Sequence, residues 1–287
     1  MKACAKINLG LNIVRKRDDG YHDLQTVFYP VPIFDEISIE VQSSNLQQQI
    51  EHKDVRLTME GNPVDGNIDD NLVVKAYRLV ASRYAIPPVT IRLNKQIPMQ
   101  AGMGGGSADC AFTIRLLNEK FQLNMSISEM QRMATSLGAD CPFFIEAKPA
   151  YAEGIGEILS PISLDLSAYQ LAIVKPPVEV STREAFAHIK PKQPDINCMD
   201  IVKRPIEEWR GLLKNDFEES IFPQYPIIGE AKQQLYEMGA LYASMSGSGS
   251  ALFAFFAPEA HPDIDAAFPS TWYRKLTCEG CSPLTTK

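Results

Sequence analysis

Long apolar runs are missing from this 287-residue sequence. None approaches the ~20 residues that a helix needs to cross a bilayer, so no membrane partner is expected. The N-terminal stretch Met1-Lys-Ala-Cys-Ala-Lys-Ile7 enters a strand-like pattern at once, with neither a signal-peptide core nor an Arg/Ser-rich transit segment, and the expectation is a cytoplasmic protein. Positive charge is in short supply: 28 Lys and Arg stand against 35 Asp and Glu, a net charge of −7. That balance excludes a general nucleic-acid binder, whose affinity rests on a basic footprint. A small phosphorylated ligand needs only local amides and a few cations. Cysteine is sparse. Cys4, Cys110, Cys141, Cys198, Cys278 and Cys281 are scattered, unlike a disulfide framework, and Cys278-Glu-Gly-Cys281 reads as a turn bearing free thiols.

Familiar nucleotide signatures are absent too. No lysine follows Gly106, which excludes a P-loop, and Ser107 stands where the dinucleotide pattern G-x-G-x-x-G needs its last glycine. Neither H-R-D nor D-F-G occurs, so the protein-kinase set is missing.

What is present is the stretch from Ile97 to Ala111, in which Gly102, Gly104, Gly105 and Gly106 precede a segment with helical spacing at Cys110, Ile114, Leu117 and Phe121. Glycines before a helix let backbone N–H groups close on an anion, where the helix dipole also favours negative charge. Most glycine clusters are flexible turns. Pro98 before this one, with Ser107 and Asp109 at the expected helix start, favours a phosphate site.

Elsewhere, Ala3 to Ile13 alternates, with Lys6, Asn8 and Asn12 on the polar face of a half-buried strand. Lys6 beside Asn8 suits a polar ligand, although such faces also serve solubility. Strands are expected at 36–41, 55–59 and 89–93, and a helix after Asp70 or Asn71. Ser126-Ile-Ser-Glu129 reads as a capping box opening a helix that Gly138 closes. Asp140 follows at a sharp exit, as a candidate general base or equally a turn aspartate. Residues 151–159 read as one glycine-interrupted strand, 169–174 as a buried one, 182–189 as a helix capped by Ser181, and 194–198 as exposed loop. Pro205 opens a short helix, 227–238 forms another, and the second glycine cluster, Ser244 to Ser250, is either a plain hairpin turn or a second phosphate contact. His22, beside Tyr21, is on its own more often a structural histidine.

Three stretches in order resemble the GHMP family of small-molecule kinases: Ala5-Lys-Ile-Asn-Leu9, Pro98-x-x-x-Gly102-Met-Gly-Gly-Gly-Ser-Ala108 and Ser246-Gly-Ser-Gly249. Gly20-Tyr-His-Asp-Leu24 and Gly138-Ala-Asp-Cys-Pro-Phe-Phe144 are similar to members whose substrate carries a cytidyl group. The resemblance implies an α+β, two-domain GHMP kinase fold. An N-terminal ribosomal-protein-S5-domain-2-like ATP-binding domain would span 1–160, and a C-terminal ferredoxin-like α/β domain 161–287. It implies ATP as co-substrate with Mg2+, and Lys6 and Asp140 as the catalytic pair. Asn8, Tyr21, His22, Ile155, Ser181 and Thr182 fall on substrate positions. Asn71, Lys95, Pro98, Gly102, Gly104, Gly105, Gly106, Ser107, Gly247 and Gly249 fall on ATP positions. Ala108 stands where many members carry a second serine, so no metal ligand is assigned.

Overall fold

Two long strands begin the chain, β1 (Lys2–Lys16) and β2 (His22–Val41), joined by a charged turn in which Gly20 takes φ +87°. The computed structural model describes residues 1–42, 54–63 and 66–277, so the expected turn at Cys278 to Cys281 lies outside the described residues. After β2 come β3 (Val55–Gly61), α1 (Leu72–Ala81), β4 (Val89–Lys95), α2 (Gly105–Phe121), α3 (Ile127–Thr135) and α4 (Phe143–Glu146). Then follow β5 (Ala150–Glu153), β6 (Ile158–Pro161), β7 (Gln170–Lys175), α5 (Thr182–Ala187), α6 (Cys198–Ile201) and α7 (Phe217–Ile221). The chain continues through α8 (Pro226–Glu237), β8 (Tyr242–Met245), β9 (Leu252–Phe256), α9 (Ile264–Ala267) and β10 (Tyr273–Thr277). Among the described residues no helix is long and apolar enough to cross a membrane.

The chain forms two compact units. The first holds Met1–Ala5, Ile33–Met99 and Gly104–Glu146; the second holds Lys6–Pro32, Gln100–Met103 and the described residues from Ala147 onward. In the first, β4 pairs antiparallel with the far half of β2, Glu36 opposite Asn94, and parallel with β3, Val55 opposite Val89. Asn71 caps α1, its Oδ1 accepting from the Val73 amide at 2.9 Å. That helix buries Val73, Ala76, Tyr77 and Val80 on one face, each valine contributing about 1.5–3 kcal/mol.

In the second unit, Thr26–Phe28 of β2 pair antiparallel with β5, and β5 with β6. A separate antiparallel sheet runs in the order β10-β7-β9-β8. Its last, first, third and second strands, with helices between first and second and between third and fourth, make the ferredoxin-like arrangement expected of this part of the chain. Val174, Leu252 and Phe256 from the sheet, Ile228 and Leu235 from α8, and Leu11 and Ile13 from β1 share its core.

Several local expectations give way to packing. β1 is not half-buried: Lys6 and Asn8 are 3% and 2% exposed, because both faces of the strand are covered. Residues 151–159 are a hairpin rather than one strand, since Gly154 and Gly156 take φ +69° and +115° and reverse the chain between β5 and β6. The segment 194–198 is not wholly exposed loop, because Asn197 caps α6 through the Met199 amide at 2.8 Å and Cys198 is buried. Pro205 opens a single 3-10 turn over Ile206–Glu208. α3 ends at Thr135, two residues before its expected last apolar position, and Gly138 is not left-handed. The Leu137 and Gly138 amides both return to the Ala134 carbonyl, at 3.0 and 3.2 Å, so the exit tightens without a left-handed residue.

Candidate active site

Within the second unit, residues far apart in sequence meet around one carbonyl. Lys6 Nζ donates to Asn8 Oδ1 at 2.6 Å and to the Gly102 carbonyl at 2.9 Å, and lies 5.1 Å from the centre of the Phe28 ring. Asn8 Nδ2 donates to Thr26 Oγ1 at 3.0 Å, which fixes its oxygen toward the ammonium. The same Gly102 carbonyl accepts from Ser246 Oγ at 3.0 Å. Gly247 approaches closely enough that a Cβ there would lie 3.0 Å from the Gly102 oxygen and 3.4 Å from Asn8 Oδ1. Asn215 Nδ2 holds this turn from below through the carbonyls of Met245 and Gly247, both at 2.8 Å. Gly249, at φ +88°, would meet Met245 Sδ at 2.6 Å if it carried a Cβ, so its glycine serves the hairpin itself.

A second group in this unit is aromatic. Tyr21 is 61% exposed, and His22 stacks on Phe186 with ring centres 4.6 Å apart and planes 21° from parallel. Phe186 stands on α5, whose capping box joins Ser181 to Glu184, and so it ties His22 to the helix that Ser181 and Thr182 open. Burial, then the charge of Lys16, hold the His22 ring below its ordinary pKa of 6.5, which favours the neutral imidazole with one donor and one acceptor. Ile155 lies in the β5–β6 turn, its amide held by Glu157 Oε2 at 2.7 Å.

In the first unit, Gly104 takes φ +70° as the N-cap of α2, leaving the first N–H groups of a 17-residue helix without intrahelical partners. A Cβ on Gly106 would meet nothing nearer than Leu72 Cδ1 at 3.9 Å, whereas one on Gly105 would press on Ile97 and on Lys95 Nζ, at 3.1 and 3.3 Å. Asn71, Leu72, Lys95, Met99 and Gly106 line a cavity of about 280 Å³. Pro98 directly precedes Met99 in the chain but does not itself line the cavity, and Ser107 lies in the first turn of α2. Lys95 is buried, and its ammonium bonds Asp35 Oδ2 and, at 2.7 Å, Asp109 Oδ2. Burial alone would lower the Lys95 pKa, but Asp109 and then Asp35 outweigh it and hold the group above its ordinary value. Asp140 is partly buried in the turn between α3 and α4, which the Cys141 amide closes on the Gly138 carbonyl at 3.2 Å.

Phe186, Asp35 and the partnership of Asp109 with Lys95 carry no motif in the sequence. A carboxylate on the apolar face of α2, and another in the apolar run of β2, were the available signals.

This arrangement has relatives. Residues 71–148 match the model of the GHMP kinases N terminal domain and residues 199–274 that of the GHMP kinases C terminal. The chain belongs to the GHMP kinases and is a small-molecule phosphotransferase of that α+β fold. It is 52% identical over 267 residues to a protein of Bacteroides fragilis named 4-diphosphocytidyl-2-C-methyl-D-erythritol kinase, covering 92% of this chain and 95% of that one. The crystal structure of a 4-(cytidine 5'-diphospho)-2C-methyl-D-erythritol kinase matches with a TM-score of 0.75 at 30% identity, over 93% of this chain and 92% of the other. The homoserine kinase of Cytophaga hutchinsonii shares the fold, with a TM-score of 0.67 at 19% identity over 96% and 94% of the two chains. Within the GHMP kinases, the family is that of the 4-diphosphocytidyl-2-C-methyl-D-erythritol kinases.

Proposed function

We propose that the protein transfers the γ-phosphoryl group of ATP to the 2-hydroxyl of 4-diphosphocytidyl-2-C-methyl-D-erythritol. The products are ADP and the 2-phosphate, in the non-mevalonate route to isoprenoid precursors. The observation that carries this reading is the convergence of Lys6 and Asn8, Gly102, and Ser246 and Gly247 on one hydrogen-bonded cluster, three kinase motifs drawn together from across the sequence.

Phosphoryl transfer asks a protein mainly for positioning and charge stabilisation. In this reading Asp140 accepts the proton of the substrate hydroxyl as its oxygen attacks the γ-phosphorus. Lys6, held by Asn8, supplies fixed positive charge. The N–H groups of Gly104 to Ser107 and the turn at Gly247 and Gly249 hold phosphate oxygens, while Asn71, Lys95 and Pro98 border the nucleoside. Tyr21 and His22 read the cytosine by stacking and hydrogen bonding, with Asn8, Ile155, Ser181 and Thr182 lining the rest of the substrate. Bound with the nucleotide, Mg2+ would supply positive charge that offsets the charge of the phosphates.

The reading also carries a division into an ATP-binding domain over 1–160 and a C-terminal domain over 161–287, supported by family matches that fall one on each side. It carries a cytoplasmic setting as well, where ATP is abundant. The test is ADP release from magnesium ATP with the cytidyl substrate, beside mevalonate, homoserine and galactose. Turnover confined to the cytidyl substrate is expected, and turnover with any of the others instead would replace the assignment.

A further inference from the structure

Asp109 carries an atom that the fold does not use. The residue is 3% exposed; its Oδ2 lies 2.7 Å from Lys95 Nζ, and its Oδ1 is buried without a hydrogen-bond partner among the described residues. Asp35, the other carboxylate on that ammonium, is fully engaged. Its Oδ1 accepts from the amides of Gln96 and Ile97 at 2.6 and 2.8 Å, and its Oδ2 accepts from Lys95. One carboxylate is therefore enough to neutralise and hold Lys95. The second leaves the cluster with an orphan acceptor, an arrangement that costs about 1–3 kcal/mol.

Orphaned buried acceptors call for a partner the structure does not contain. Asp109 lines the cavity of about 280 Å³ together with Asn71, Leu72, Met99 and Gly106, beside the open start of α2. Burial, with the Asp35 carboxylate beside it, pushes its carboxyl pKa up to about 7 against the pull of Lys95, and a donor arriving from a ligand would favour the ionised form.

We propose that Asp109 Oδ1 accepts a hydrogen bond from the nucleoside of the phosphate donor, from an exocyclic base amino group or a ribose hydroxyl, and so determines which nucleotide the enzyme uses. The inference rests on the kinase reading above. A carboxylate facing a carbonyl, as hypoxanthine would present in place of the amino group of adenine, leaves two acceptors unpaired and rejects that base.

The experiment compares kcat/KM for ATP, purine riboside triphosphate, ITP and 2′-deoxy-ATP in the wild-type enzyme, Asp109→Ala and Asp109→Asn, with a thermal melt of each. The wild type should lose at least about tenfold on either purine riboside triphosphate or 2′-deoxy-ATP, as for a hydrogen bond to a charged acceptor. In Asp109→Ala that ratio should fall to near one, which a merely structural loss would not produce because it lowers all substrates together. In Asp109→Asn the amide oxygen stays on the Lys95 ammonium and an N–H faces the cavity. Preference then turns toward ITP if the base amino group is the donor. If the ribose hydroxyl is the donor, the ratio of ATP to 2′-deoxy-ATP persists, since a hydroxyl also accepts. Equal use of ATP and both donor-deleted analogues by the wild type, or an unchanged ratio in Asp109→Ala, overturns the proposal. Failure of the kinase reading shows separately, as no ADP release by the wild type from any nucleotide. The same ratios are then read as Kd for ADP, purine riboside diphosphate and 2′-deoxy-ADP by calorimetry.

Discussion

Gly102 lies so close to Ser246 that a Cβ on the glycine would fall 1.8 Å from the serine carbonyl oxygen, at a residue whose φ is +68°. A side chain is excluded twice, by the left-handed backbone and by the neighbouring turn. Gly102→Ala should lose at least about 2 kcal/mol of stability, measured by denaturant melts, because a backbone segment must move to admit the methyl group. Gly106→Ala is the contrast, with 3.9 Å of clearance to Leu72. It should keep its melting temperature while its KM for ATP rises, and an unmoved KM would take Gly106 out of the phosphate site.

Asp140→Asn should lower kcat by at least about 100-fold, the low end of general-base effects, with ATP affinity little changed. Near-wild-type turnover would remove Asp140 from the chemistry, whatever its place in the turn.

Lys95→Met leaves Asp35 and Asp109 buried without their cation. Breaking a buried pair from one side costs about 3–5 kcal/mol, so urea melts should show a loss of that size at neutral pH. A loss below about 1 kcal/mol would mean that the cluster is not needed to hold β4 and α2 in place.

Phe186→Ala removes the ring on which His22 lies, and Tyr21→Ala removes the exposed aromatic beside it. Both should raise KM for the cytidyl substrate, by about tenfold for Tyr21→Ala on the scale of base stacking, and leave KM for ATP unmoved. An effect on ATP alone would reassign this aromatic group.

The pH dependence follows from His22. Its pKa is held below 6.5, so the ring binds a proton less tightly in the folded protein than in the unfolded chain. The stability it contributes is present above pH 6.5 and is lost as the pH falls below that value. KM for the cytidyl substrate should be flat from about pH 8 to 6.5 and rise below, as the neutral ring is protonated. A His22→Gln variant in which the same acid rise persists would assign it to another group.

Much of this was legible in the residues. The spacing of Leu72, Ala76 and Val80 predicts α1, Ser181 its helix, and the glycines before Cys110 the start of α2. The alternation predicts Lys6 and Asn8 on a polar strand face, and the structure buries them, because a period of two cannot tell a solvated face from one covered by distant turns. The hairpin at Gly154 is hidden in the sequence for a related reason: glycine in an apolar run marks a bulge or a reversal alike, and only φ separates them. The sequence places Asp109 near a helix start, where it stands in α2, but not its ion pair with Lys95, a contact 14 residues away that no local pattern contains.

The path of the chain has a consequence for biosynthesis. It passes between the two units five times, after Ala5, Pro32, Met99, Met103 and Glu146. No single cut therefore releases the second unit whole, for any fragment beginning late in the sequence lacks the strand bearing Lys6 and the start of the strand bearing His22. During translation those early residues must wait, exposed to chaperones and proteases, until more than half of the polypeptide has left the ribosome.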